Sequence, residues 1–134
     1  MSKLVTKGKA RAIGLSNFSV TQISELLPTA QELGIPISCL QIEVHPWLPQ
    51  TKLIEFCKKE GIVVSCYSPF AGQKKDGKTL ILDEVVKGLA EKNGLGVGGL
   101  LQSAFSSSPF FFLSCLIFSG FVFLLPLVRL RISC

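Results

Sequence analysis

Three apolar runs in this chain each end in small polar or amide-bearing side chains. Ser16-Asn17 follows Ala12–Leu15, Gln41, Glu43 and His45 close Ile37–Val44, and Tyr67-Ser68 follows the run that begins at Ile62. Hydroxyls and carboxamides donate and accept hydrogen bonds, and a tyrosine ring adds a flat face for stacking. Such a set suits a flat, uncharged heterocycle that carries an amide group. It does not suit a metal: the single His45 has no clustered partners among Cys39, Cys57, Cys66, Cys115 and Cys134, and no CxxC pair occurs. An odd cysteine count without a framework points to a reducing compartment.

The elements that must carry these residues repeat. Gly14 lies 27 residues before Gln41, and Gln41 lies 26 before Tyr67. Strand-helix units at one period argue for consecutive parallel strands in an α/β protein, with chemistry at the carboxyl ends. Ser19 with Gln22 forms an S-x-x-Q capping box, and Ile23, Leu26, Leu27, Ala30 and Leu33 recur at helical spacing up to Gly34. Pro28 should kink that helix. A second helix is expected from Gln50 to Glu60 before Gly61. After the Gly- and Lys-rich stretch 72–78, a third is expected from Leu82 to Lys92, with Leu82, Val85, Val86 and Leu89 inward.

Charge divides the chain. Residues 1–92 hold 12 of the 14 basic residues and all nine acidic ones, whereas from Asn93 onward only Arg129 and Arg131 are charged and seven of the ten Phe occur. The lysines are scattered and interleaved with Glu, as on solvated helix faces, so the net charge of +5 does not indicate a nucleic-acid partner. The first residues lack the apolar stretch of a secretory signal.

As an ordered set, Gly8-Lys9-Ala10-Arg11-Ala12-Ile13-Gly14-Leu15-Ser16-Asn17-Phe18, Gln41-Ile42-Glu43-Val44-His45-Pro46, Phe56-Cys57 before Gly61-Ile62, and Tyr67-Ser68-Pro69 resembles the aldo-keto reductases. These are NADPH-dependent oxidoreductases on the TIM (β/α)8 barrel, which reduce small-molecule aldehydes and ketones. The resemblance implies that Ser16, Asn17 and Gln41 hydrogen-bond the nicotinamide carboxamide. It also implies that Tyr67 stacks on the ring and that Ser68 contacts the pyrophosphate side. His45 and Glu43 are structural on the same grounds, and a cytoplasmic location is expected.

The resemblance covers residues 1–94, about three central βα units, and places the catalytic Tyr, Lys, Asp and His on strands before Met1. The expectation is therefore a partial barrel with no catalytic residue of its own, inactive alone and exposing its inner face and two sheet edges. A Gly/Ser-rich linker is expected over 95–108. Residues 109–128 are uncharged and long enough to cross a bilayer. Three readings stay open for this tail: translated intron or frame-shifted sequence, a membrane anchor, or some buried or oligomeric use. The alternative function is a non-catalytic, membrane-associated remnant, or one whose exposed strands dock on a related barrel.

Overall fold

The computed structural model describes residues 1–74, 76–106 and 111–113. A short helix α1, Ser2–Thr6, leads through Gly8 to strand β1, Ile13–Ser16. Ser19 then caps helix α2, Val20–Glu32. The expected capping box is formed in both directions: Gln22 N–H donates to Ser19 Oγ at 3.3 Å, and Ser19 N–H donates to Gln22 Oε1 at 2.8 Å. Pro28 lies inside α2 but does not end it, and the helix runs on for one more turn. Gly34, at φ +62°, supplies the left-handed turn that stops it.

Strand β2 is Ile37–Glu43, helix α3 is Thr51–Lys59, and strand β3 is Val63–Tyr67. A 3-10 turn at Leu80–Leu82 precedes helix α4, Glu84–Lys92. Helix α5, Val97–Ser106, and strand β4, Phe111–Leu113, complete the described elements. All four strands are parallel and lie in chain order β1-β2-β3-β4.

Register decides which side chains meet. Ile13 pairs with Ile37 but Gly14 with Cys39, so Ser38 is an extra residue on β2, a bulge. Beyond it the alternation is regular. Leu40, Ile42, Val44, Val64 and Cys66 are buried on one face, with Ile23 of α2 and Cys57 of α3 packed over them. Complete burial of a side chain such as Ile23 or Leu40 contributes about 1.5–3 kcal/mol. Cys39, Gln41, Glu43, Ser65 and Tyr67 occupy the alternate positions, on the face that would line a closed barrel.

Three expectations are corrected. The α4 stripe is not Leu82, Val85, Val86 and Leu89: Leu82 is 64% exposed and Val85 72%, while Val86 and Ala90 are buried. The helix starts two residues later than expected, because Asp83 caps it by accepting from the N–H groups of Val85 and Val86. Leu82 therefore falls in the 3-10 turn, where Leu80 is the residue that points inward. The Gly/Ser-rich linker of 95–108 is instead largely helix, with Val97, Leu100 and Leu101 packed on Leu80 and Val86 in a second cluster.

The third correction concerns the tail. Of the segment 109–128, for which a membrane-crossing helix is one of the open readings, only Phe111–Leu113 is described, and those residues are strand paired with β3. The rest of that expectation lies outside the described residues. Among the described residues no helix is long and apolar enough to cross a membrane. β4 also covers one of the two sheet edges expected to be bare.

Next to the bulge, the Cys39 side chain fills the space beside Gly14. A Cβ on Gly14 would stand 2.5 Å from Cys39 Sγ and 3.3 Å from the Cys39 carbonyl oxygen. Gly14→Ala should therefore cost about 1–3 kcal/mol in a urea titration, as overpacking does. Adding Cys39→Ala should restore part of the loss, and a Gly14→Ala chain as stable as the parent would show that the sheet has room there.

Candidate functional site

The carboxyl ends of β1, β2 and β3 lie side by side. Ser16 pairs with Gln41, Gln41 with Ser65, and Glu43 with Tyr67, so the polar positions form two adjacent rows across the sheet. The backbone extends the pairing past β1, where Asn17 N–H donates to the Gln41 carbonyl at 2.9 Å. Asn17 then turns left-handed at φ +59°, a conformation that asparagine tolerates better than most residues. That turn brings its side chain toward the third exit. The Tyr67 hydroxyl donates to Asn17 Oδ1 at 2.9 Å, joining two strand ends fifty residues apart in sequence.

This bond fixes the phenol end of Tyr67 and leaves the Asn17 amide NH2 to donate elsewhere. Among the described residues, no hydrogen bond within the chain engages the Gln41 carboxamide or the Ser16 hydroxyl. Ser16 and Asn17 are exposed, while Gln41 and Tyr67 are half-buried. Ser68 is exposed and left-handed at φ +53°, and its carbonyl accepts from Ala71 N–H at 2.9 Å to close the turn after β3. An open concavity of about 410 Å³ lies beside these exits, lined among others by Asn17, Phe18, Glu43, Gln50 and Tyr67. Ser16, Gln41 and Ser68 are not part of its wall.

Two features of this end escape sequence reasoning. Gln50, at φ +54°, sends its side-chain N–H to the Glu43 carbonyl at 3.4 Å and so ties the start of α3 to the exit of β2. Lys74 places its ammonium 3.7 Å from the centre of the Trp47 ring, a cation–π contact. A left-handed Gln and a lysine in a loop carry no periodic signal.

His45 takes the structural place expected of it. Its backbone exchanges hydrogen bonds with Leu48, 2.7 and 3.3 Å, around the Pro46-Trp47 turn. Its Nε2 lies 3.4 Å from Glu43 Oε1, its ring meets Trp47 edge-on, and its Nδ1 is buried without a partner. The Glu43 side chain is 38% exposed. Burial lowers the His45 pKa, Lys74 lowers it further, and Glu43 opposes both.

Burial also raises the thiols of Cys39 and Cys57, and that of Cys66 to about 11, so none supplies a thiolate near neutral pH. Cys39, Cys57 and Cys66 are free thiols. Among the described residues no group of three His, Cys, Asp or Glu side chains could hold a metal ion.

A parallel sheet covered by helices on one face, with neutral donors and acceptors gathered at its carboxyl end, fits part of an α/β barrel. The chain belongs to the Aldo/keto reductase family, whose sequence model matches residues 1–96. It is 41% identical over 103 residues to aldehyde reductase YPR1 of Saccharomyces cerevisiae, covering 77% of this chain and 32% of that protein. Over 101 residues it is 42% identical to the NADPH-dependent D-xylose reductase of Meyerozyma guilliermondii, covering 69% and 31% of the two chains.

The aldose reductase of Giardia lamblia superposes with a TM-score of 0.73 at 30% identity, over 84% of this chain and 37% of that one. The chain spans about a third of the length of these curated relatives.

The pKa of His45 makes stability depend on pH in one window. The folded value lies below the ordinary 6.5, so the unfolded chain binds the proton more tightly. Stability should be level above about pH 6.5 and fall as pH drops from there to the folded pKa. Urea midpoints between pH 8 and pH 5, paired with an NMR titration of the sole imidazole, would show this slope. His45→Gln should flatten it.

Proposed function

We propose that this chain forms the nicotinamide-binding side of an NADPH-dependent carbonyl reductase site. The observation that carries the reading is the Tyr67 hydroxyl to Asn17 Oδ1 bond, which sets an aromatic face beside the Ser16–Gln41 pair at one end of the sheet. Ser16, Gln41 and the free NH2 of Asn17 then offer a carboxamide both donors and acceptors, with no charge to desolvate. Tyr67 supplies the stacking face, and Ser68, one residue on, faces the pyrophosphate side.

NADPH bound there supplies the hydride for an aldehyde or ketone. The chain's own contribution is to bind and orient the nicotinamide. Tyr67 is the only tyrosine in the sequence and its hydroxyl is engaged by Asn17, so in this reading it serves as a stacking face and not as the proton donor.

Reduced nicotinamide mononucleotide is the probe that isolates this half of the cofactor. Added to the full chain, it should show saturation-transfer NMR signals from the nicotinamide protons, and NADPH should compete. Tyr67→Ala and Gln41→Leu should each weaken binding about tenfold, the worth of one lost stacking or hydrogen-bonding contact near 1.4 kcal/mol. Binding that neither substitution changes would refute the assignment.

A further inference from the structure

Lys74, Trp47, His45 and Glu43 form a continuous line from the loop after β3 to the exit of β2. The ammonium stands 3.7 Å from the centre of the indole ring, the indole meets the imidazole edge-on with centroids 6.5 Å apart, and Nε2 lies 3.4 Å from the carboxylate. The histidine side chain is nine-tenths buried. With Nε2–H donating to Glu43, the neutral ring leaves at Nδ1 only an unpaired acceptor, a modest cost. A second proton would put a buried donor on Nδ1 with nothing to receive it, and a second cation beside the indole that Lys74 already occupies.

We propose that His45 is a proton-controlled switch for the Lys74–Trp47 contact: when the imidazole takes up a proton, the lysine leaves the indole. Among the described residues, the charged groups acting on His45 are Glu43, from β2, and Lys74, from the loop. Glu43 holds the imidazolium in place, so Lys74 is the group free to move, on a flexible stem that reaches water readily. Trp47 also packs on the second apolar cluster with Leu80 and Val86, which keeps the indole fixed while the cation departs. The contact links the turn after β3, where Gln73 pairs with Thr79, to the end of β2 that carries Glu43 into the concavity. Acid therefore loosens the loop beside the site without unfolding the sheet.

The test uses the full chain and the ring-current shift of the Lys74 ε-methylene protons, which an indole face moves upfield. In the parent chain that shift should be present at pH 7.5 and disappear with the midpoint of the His45 imidazole, while the Leu40 methyl resonances stay native. In His45→Gln it should persist across the range. In Lys74→Met the imidazole midpoint should rise, because a repelling cation is gone. A Lys74 shift that ignores pH in the parent chain overturns the proposal, as does an imidazole midpoint unchanged in Lys74→Met. Should His45→Gln fail to fold, Glu43→Gln replaces it: losing the carboxylate should move both midpoints together to lower pH, and midpoints that separate would refute the coupling.

Discussion

The parallel register of β1, β2 and β3 is the constraint on which the rest depends. Side chains alternate across a strand, so one residue of slip would carry every core position to the open face. The bulge at Ser38 absorbs an irregularity at the start of β2, and from Gly14–Cys39 onward the pairing is in step. Because it is in step, Leu40, Ile42 and Val44 meet Ile23 and Cys57 in the core. The same phase carries Ser16, Gln41, Glu43 and Tyr67 to one end of the other face. Core and site are two consequences of one alignment.

Much of that alignment was legible because it rests on local chemistry. The capping box at Ser19, the glycine stops at Gly34 and Gly61, and the near-equal spacing of the three exits are written in residue types whose conformational preferences are strong. β1, β2 and β3 accordingly fall within a residue or so of their expected bounds. The Tyr67–Asn17 bond was not legible. It requires Asn17 to turn left-handed, and it spans a separation that no local pattern encodes. The face of α4 was misread because an apolar run continues through Ile81 and Leu82, and only the capping by Asp83 says where helical periodicity begins.

The end of the described chain was harder still. Gly98 and Gly99 each cost a helix interior roughly 1 kcal/mol, and they read as linker. What holds α5 is tertiary: Leu101 is buried, Val97 and Leu100 flank it, and the helix lies against α4 and β4. β4 then pairs in parallel with β3, as a further βα unit would. Composition alone set this segment apart from the preceding units, yet the packing continues them. Hydrophobicity without periodicity does not distinguish a strand inside a sheet from a membrane segment.

A partial barrel would be expected to bare an apolar interior, and the residues on that face explain why this sheet need not. Ser16, Gln41, Glu43 and Ser65 are polar, Gly14 has no side chain, Tyr67 carries a hydroxyl, and Cys39 and the 37%-exposed Val63 are the apolar positions described there on β1–β3. Water can therefore wet the open face at little cost, since polar groups that would need partners in a closed interior find them in solvent. The two edge strands among the described residues, β1 and β4, are only four and three residues long, which limits the template they offer to another chain. Polarity at the strand exits thus also lets the helix-covered face carry the core by itself. Substituting those positions by apolar residues would remove the site and create a sticky face in one step.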